Sequence, residues 1–200
     1  TQIVLVRDFN DMEILGQTID DAAGEAFDKA AKMLGLPYPG GPLIDKMSKD
    51  GDPNAFTFAK PRMQGFNYSF SGLKTSILYF LNDRVAEDSE FISKNLAGLC
   101  ASIQKTITDI LLDKLILAAK ENQIKTIALA GGVSANSYLR NALTQVGKQL
   151  QWQTFIPALE YCTDNAGMIA IAGYYKLKAN KTTPLSITPK ARILGLDTEI

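Results

Sequence analysis

Residues 19–42, IDDAAGEAFDKAAKMLGLPYPGGP, join an acidic helix to a segment rich in glycine and proline, and they are the most informative stretch about the fold. Asp21, Glu25 and Asp28 recur at i, i+4 and i+7, the spacing that places side chains on one face of a helix. Because like charges on one face repel each other, we expect a compensating partner: a cation, a lysine or the hydroxyl groups of a sugar. A solvated helix surface near Lys29 is the alternative that the spacing leaves open.

The same stretch predicts where this helix ends and how the chain continues. Gly35 occupies the position expected just after a helix C-terminus, and Pro37 blocks continuation of the helix. Residues 39–42 (PGGP) predict a loop whose glycines permit close approach by a ligand. Pro42 suits the first turn of a second helix.

The overall composition restricts the kind of protein. The 200 residues carry 21 basic and 21 acidic side chains, so no net charge attracts nucleic acid or an anionic membrane. The chain contains no histidine, which removes imidazole bases and imidazole metal ligands. Cys100 and Cys162 are predicted to be free thiols in a reducing, cytoplasmic setting. No apolar run approaches the ~20 residues of a membrane-spanning helix, so no membrane contact is expected.

The order of predicted elements indicates a mixed α/β lobe, with antiparallel strands first, long helices next and a strand–loop–helix–strand–helix unit last. Thr163 or Asp164 is expected to cap the final helix. The predicted strands are residues 2–7, 13–19, 126–130 and 153–156, and the predicted helices fall within 19–34, 72–82, 89–118, 136–149 and 163–175.

Residues 130–136, AGGVSAN, predict a glycine turn between a buried strand and a helix. N–H groups exposed at the start of a helix suit an anion or a nucleotide, which makes Gly131 and Gly132 candidate ligand contacts. A tight turn without a ligand is an equally good interpretation, since adjacent glycines often follow strands.

Residues 162–165, CTDN, begin the final predicted helix. A carboxylate at such a junction suits a hard metal ion, so Asp164 is a candidate metal ligand as well as a candidate cap. We interpret Cys162 as a small buried residue, because a nucleophilic thiol needs an activating base and the chain has no histidine to provide one.

Other polar residues carry weaker predictions. Lys74, near a predicted helix start, could contact a phosphate, although capping is the simpler role for that segment. The scattered cations are interpreted as ordinary surface, with tRNA contact as the minor alternative; they are Lys60, Arg62, Arg84, Arg140 and Lys148.

Four ordered blocks of this sequence resemble the family of transferases that form threonylcarbamoyladenosine in tRNA, formerly called glycoproteases or O-sialoglycoprotein endopeptidases. The blocks are residues 19–42, YSFSGLKT at 68–75, AGGVSAN at 130–136 and CTDN at 162–165. The resemblance covers nearly the whole chain and is weakest after Lys178.

The resemblance implies an α/β fold of the actin-like ATPase (ribonuclease H-like) type, with a mixed sheet flanked by helices. Residues 1–178 would form the second lobe of that fold, lacking its first strand and the whole first lobe. The lobe would include a helical insertion around residues 42–120, and residues 179–200 would form a C-terminal tail.

The resemblance also implies an activity: transfer of threonylcarbamoyl from threonylcarbamoyl-adenylate to the adenosine adjacent to the tRNA anticodon. Partners by resemblance are tRNA, a related actin-like protein and a small P-loop ATPase. No catalytic residue is assigned within this chain. Asp28 and Asp45 would hold ribose hydroxyls, and Asp164 would ligate one iron or zinc ion. The residues implied to contact the adenylate are Asp28, Gly41, Asp45, Gly131, Gly132 and Asn136.

The chain departs from the family pattern in two respects. A metal-binding histidine pair and a Ser-Gly-Gly-His turn, which the family places before the residue matching Thr1, are not in this sequence. Because two imidazole ligands are missing, we expect Asp164 alone to hold the metal weakly or not at all. The sequence therefore predicts a piece of an enzyme that is inactive by itself.

Three alternatives remain open from the sequence. A metal-dependent glycoprotein endopeptidase would need a histidine–glutamate helix motif, which the chain lacks. A non-catalytic module that binds a nucleotide or a partner protein would use the long apolar helices as its surface. Another actin-like ATPase, such as a sugar kinase, would place its catalytic base outside the matching blocks.

Overall fold

The computed structural model describes residues 1–189 and contains two small sheets and six α-helices in that range. In chain order the elements are β1 (Gln2–Asp8), β2 (Asp11–Gln17), α1 (Ala23–Met33), α2 (Gly40–Met47), α3 (Ser71–Glu87), α4 (Phe91–Glu121), β3 (Thr126–Ala128), α5 (Ser137–Leu150), β4 (Gln153–Phe155) and α6 (Ala166–Lys178).

Helix α4 is the element around which the other helices pack. It is 31 residues long, and α1, α2, α3 and α5 all contact it. Leu99, Ile103 and Ile107 on α4 are completely buried. Burial of each such side chain contributes about 1.5–3 kcal/mol, so this helix supplies much of the hydrophobic core. The long helix predicted from the apolar content of residues 89–118 is confirmed, and so is its burial, but it packs mainly against other helices and not, as was expected, against a sheet.

The predicted N-terminal hairpin is also confirmed, since β1 pairs antiparallel with β2. Beyond the hairpin, Tyr68 forms an isolated parallel bridge with Thr18, the residue that follows β2. The Tyr68 N–H donates to the Gln17 carbonyl (3.0 Å), and the Ile19 N–H donates to the Tyr68 carbonyl (3.1 Å). These bonds place the start of α3 next to the end of the hairpin.

The α/β class is confirmed, but the strands do not form the single mixed sheet that was expected. Among residues 1–189, the antiparallel pair β1–β2 and the parallel pair β3–β4 are separate sheets. Within the described residues, β3 is three residues long and pairs with β4 on one edge only, so it does not connect to the hairpin. The assignments to an actin-like lobe and to an insertion around 42–120 stay predictions.

Helix α2 begins at Gly40, so the predicted PGGP loop is wrong: its glycines form the first turn of a helix. The Gly40 N–H donates to Asp28 Oδ1 (2.7 Å) on α1. A Cβ added at Gly40 would overlap Ala31 and would lie 3.0 Å from Asp28 Cα. Glycine is therefore required at position 40 because α2 packs closely against α1.

The N-cap of α6 also differs from the prediction: it is Asn165 and not Thr163 or Asp164. The Asn165 side-chain oxygen accepts a hydrogen bond from the Met168 N–H (3.0 Å), which satisfies one of the free donors at this helix start. Residues 179–189 contain no helix or strand. The assignment of residues 179–200 to a C-terminal tail stays a prediction, and residues 190–200 lie outside the described residues.

Helix α6 is apolar around its circumference, yet none of its residues is buried. Ile169 is 67% exposed and Leu177 is 66% exposed. Tyr175 stacks on Phe9, which lies in the turn of the N-terminal hairpin. None of the helices within residues 1–189 has the length and hydropathy required to cross a membrane.

Candidate functional site

The acidic cluster at the start of α1 is neutralised by a lysine, one of the three partners that the sequence left open. Lys29 Nζ lies 2.7 Å from Asp21 Oδ1 and 2.8 Å from Glu25 Oε1. These hydrogen bonds, with Asp21 the larger contributor, raise the pKa of Lys29. Asp21 precedes the helix instead of lying on it, since α1 begins at Ala23. Asp21 and Glu25 therefore have a partner within the chain.

Asp28 faces a different neighbour, the first turn of α2. Its Oδ1 accepts the Gly40 N–H, and no hydrogen bond within residues 1–189 involves its Oδ2. The bond to Gly40 fixes the carboxylate on the side of α1 that meets α2. Asp28 thus has one oxygen committed to the fold and one that can accept a hydroxyl group.

Gly41 follows in the same turn and has more space than Gly40. A Cβ added at Gly41 would lie 3.8 Å from Phe27 Cβ, an ordinary van der Waals contact. Gly41 follows Gly40, the residue bonded to Asp28, and its contact with the adenylate stays a prediction, while the steric requirement for glycine applies to position 40.

Asp45, further along α2, binds the start of α5. The Ser137 hydroxyl donates to Asp45 Oδ1 at 2.7 Å, and the Ser137 N–H lies 3.2 Å from both carboxylate oxygens. A carboxylate at a helix N-terminus is stabilised by the free N–H groups and by the helix dipole. The contact of Asp45 with ribose stays a prediction, and its carboxylate already bonds to Ser137.

Asn136 is the N-cap of α5, and both ends of its side chain are engaged. Its Oδ1 accepts the Leu139 N–H (2.9 Å), and its Nδ2 donates to Gln104 Oε1 (2.7 Å) on α4. Gln104, 2% exposed, in turn donates to the Ser48 hydroxyl (2.8 Å). Gln104 was missed from the sequence, although a glutamine inside an apolar stretch is a signal that could have identified it.

The glycine turn of AGGVSAN lies between β3 and α5 as predicted, but β3 is not the buried strand that was expected, since only its central residue, Ile127, is buried. Gly131 has φ +84°, a conformation that L side chains rarely adopt, and both Gly131 and Gly132 are exposed. Val133 lies against Gly24 of α1, since a Cβ added there would be 3.5 Å from Val133 Cγ2. The Ser134 hydroxyl is buried and has no hydrogen-bond partner among the described residues.

These contacts bring the predicted adenylate residues to one junction. Asp28 and Gly41 lie where α1 meets α2, Asp45 joins α2 to α5, and Asn136 caps α5 directly after the glycine turn. The junction offers a free carboxylate oxygen on Asp28 and exposed glycines beside the start of α5, where the Ser137 and Leu139 N–H groups already bond to Asp45 and Asn136. Such a combination suits a ligand with hydroxyl and phosphate groups.

Asp164 lies on the exposed segment that precedes α6. No group of three histidine, cysteine or acidic residues within residues 1–189 is arranged to hold a metal ion. A lone carboxylate does not fit the donor set of an iron or zinc site, which needs several ligands. The described part of the chain therefore does not form a metal centre by itself.

Arg140 was predicted to be ordinary surface, and this prediction is wrong. On α5 its Nη1 donates to the Ser134 carbonyl (3.0 Å) and its Nη2 donates to the Pro157 carbonyl (2.8 Å). Nη1 also lies 3.7 Å from the sulfur of Cys162, a free and buried thiol as expected. The guanidinium therefore connects the glycine turn to the segment that carries Asp164.

Asp20 was also missed, and it anchors the start of α3. The Ser69 and Ser71 hydroxyls donate to its Oδ2 (2.6 and 2.8 Å), and the Phe70 N–H donates to its Oδ1 (2.8 Å). Burial acts to raise the pKa of Asp20, but these hydrogen bonds outweigh it and lower the pKa to about 2. Lys74, on the same helix, is exposed.

Comparison with known proteins identifies the family. The model of the tRNA N6-adenosine threonylcarbamoyltransferase (TsaD) family matches residues 1–171. The tRNA N6-adenosine threonylcarbamoyltransferase of Porphyromonas gingivalis is 56% identical over 193 residues, which cover 96% of this chain and 57% of that protein. The enzyme of the same name from Christiangramia forsetii is 56% identical over 192 residues, which cover 96% of this chain and 56% of that protein.

A more distant relative gives the same result. The tRNA N6-adenosine threonylcarbamoyltransferase of Thermosipho africanus is 48% identical over 197 residues, which cover 96% of this chain and 58% of that protein. This chain thus spans a little over half the length of the relatives it matches. The resemblance found in the sequence blocks is confirmed, and the chain belongs to the tRNA N6-adenosine threonylcarbamoyltransferase family.

Proposed function

We propose that this chain provides the adenylate-binding half of an enzyme that transfers threonylcarbamoyl from threonylcarbamoyl-adenylate to the adenosine adjacent to the tRNA anticodon. The observation that carries the proposal is the meeting of Asp28, Gly41, Asn136 and the glycine turn at the junction of α1, α2 and α5. Family membership supplies the reaction, and the junction supplies groups that suit its adenylate.

The ribose would be held by Asp28, because its Oδ2 is free to accept a hydroxyl while Oδ1 is bound to Gly40. The phosphate would lie near Gly131 and Gly132, where glycine leaves the backbone accessible next to the start of α5. Asn136 would act chiefly by shaping this helix start, since its carboxamide already bonds to Leu139 and Gln104.

The proposed reaction asks for positioning more than for covalent chemistry. The exocyclic amine of adenosine attacks the carbamoyl carbon, a C–N bond forms, and the C–O bond to the phosphate breaks as AMP leaves. The amine proton passes to solvent or to a base outside this chain. Holding the adenylate by its ribose and phosphate orients the carbonyl and stabilises the leaving phosphate.

The metal remains part of the proposal only for the whole protein. Asp164 would be one ligand of a single iron or zinc ion, and the remaining ligands would come from outside this chain. We further propose that the whole protein acts in the cytoplasm, with tRNA, a related actin-like protein and a small P-loop ATPase as partners. This chain alone is expected to be inactive and to behave as a nucleotide-binding module.

Calorimetric titration of the chain with a non-hydrolysable threonylcarbamoyl-adenylate analogue tests the proposed half-site. Asp28→Asn keeps an oxygen for the Gly40 N–H but replaces the charged oxygen that would face the ribose. Loss of a hydrogen bond to a charged group predicts an affinity about 10- to 100-fold weaker. Asp83→Asn, on the exposed face of α3, is the matched control and should bind like the wild type. Equal affinity of the Asp28→Asn and wild-type chains would refute the assignment.

A further inference from the structure

Arg140 occupies a position between two loops that are distant in sequence. Its guanidinium donates to the carbonyl of Ser134, in the glycine turn, and to the carbonyl of Pro157, after β4. Nη1 also lies 3.7 Å from Cys162 Sγ. One side chain on α5 therefore holds both loops through a planar fork of donors, a geometry that arginine provides and lysine does not.

The partners of Arg140 are neutral groups. Within residues 1–189 it takes part in no ion pair, and the arginines that do form ion pairs, Arg7 and Arg84, use carboxylates on the exposed surface. Charge-assisted bonds to carbonyl oxygens are stronger than neutral hydrogen bonds. The arrangement therefore fixes the positions of two backbone segments. A positive charge on a side chain of different geometry could not replace the planar guanidinium.

Each loop has a buried residue at the guanidinium and an exposed residue nearby. Ser134 and Cys162 are both 2% exposed. Gly131 and Gly132, just before Ser134, are exposed, and so is Asp164, just after Cys162. Arg140 thus anchors the inner ends of two segments whose outer ends carry the proposed phosphate contacts and the proposed metal ligand.

We propose that Arg140 is a positioning residue that couples the two loops, so that a nucleotide bound at the glycine turn also orders residues 158–165. This inference rests on the proposed function for the identity of the ligand, but the connection itself does not. Coupling of this kind is reciprocal, because a ligand that favours the fixed arrangement of one loop favours that of the other.

Hydrogen exchange of the full chain, followed by mass spectrometry, tests the coupling without any activity assay. In the absence of ligand, Arg140→Lys and Arg140→Met should both speed exchange in residues 131–136 and 158–165 by about tenfold, since each loses the bonds that close these loops. Exchange in α4 should be unchanged. Lys148→Met, on the exposed surface of the same helix, is the matched control and should behave like the wild type.

The ligand arm uses ATP and the threonylcarbamoyl-adenylate analogue. In the wild type, the analogue should slow exchange in both loops; in Arg140→Lys it should slow exchange only at residues 131–136. If Arg140→Lys behaves like the wild type, or if exchange rises equally in α4, Arg140 has no positioning role and the proposal fails. If the wild type binds neither probe, the proposed function fails, and the exchange measured without ligand still decides whether Arg140 holds the loops.

Discussion

The carboxylate of Asp45 receives both the hydroxyl and the backbone N–H of Ser137, and so ties α2 to the start of α5. The two residues are 92 positions apart in the sequence. Together with the bond from the Gly40 N–H to Asp28, this contact builds the proposed adenylate junction from long-range polar interactions. The geometry of the junction and the stability of the fold therefore depend on the same groups.

Substitution at Asp45 should destabilise the chain more than substitution at its partner. Asp45→Ala leaves the Ser137 N–H and hydroxyl without their acceptor and should lower the free energy of unfolding by about 1–2 kcal/mol. Ser137→Ala keeps the hydrogen bond from the backbone N–H to Asp45. It should therefore lower the free energy of unfolding by less than about 1 kcal/mol, at most about half the effect of Asp45→Ala. Urea unfolding of both variants and of the double variant measures this; a larger loss in Ser137→Ala would contradict the assignment.

Asp20 predicts a specific dependence of stability on pH. Its pKa of about 2 in the folded chain is below the ordinary value of 3.8, so its contribution is present above pH 3.8 and is lost as the pH falls through 2. Because the residue is partly exposed, solvent screening reduces this contribution to about 1 kcal/mol.

The measurement compares wild type with Asp20→Asn in urea at several pH values. The difference in free energy of unfolding should be about 1 kcal/mol at pH 7 and should shrink as the pH approaches 2. Asp83→Asn, at an exposed position of α3, serves as the matched control. A difference between wild type and Asp20→Asn that stays constant with pH would show that Asp20 acts through packing alone.

Features of this fold that depend on neighbouring residues can be predicted from the sequence, and features that depend on distant partners cannot. The strand pattern of neighbouring residues predicts the hairpin, and a nearly continuous apolar content predicts α4. The prediction of a loop at residues 39–42 was wrong because the start of α2 depends on how closely Gly40 packs against α1. Arg140 was wrongly interpreted as ordinary surface and Gln104 was missed because their roles depend on partners elsewhere in the chain; Gln104 and Asn136 are 32 positions apart.

Gln104 should be important for stability although it makes no predicted ligand contact. Gln104→Met fills a similar volume but leaves the Asn136 amide and the Ser48 hydroxyl without their buried partner, which predicts a loss of about 1–3 kcal/mol. Gln145→Met, on an exposed position of α5, should change stability by less than about 0.5 kcal/mol. Thermal and urea unfolding give both values, and similar small effects at the two positions would rule out the buried polar chain.

Gly40 and Gly41 offer a matched pair that separates folding from binding. Gly40→Ala forces a methyl group into Ala31 and the backbone of Asp28, so it should destabilise the chain by about 1–3 kcal/mol. Gly41→Ala meets only an ordinary contact with Phe27, and alanine favours a helix by up to about 1 kcal/mol, so the chain should be as stable as wild type or more stable. If Gly41 contacts the adenylate, Gly41→Ala should nevertheless weaken binding of the analogue in calorimetry. If Gly41→Ala is stable and binds the analogue like the wild type, Gly41 does not contact the adenylate, and the assignment of Asp28 is unaffected.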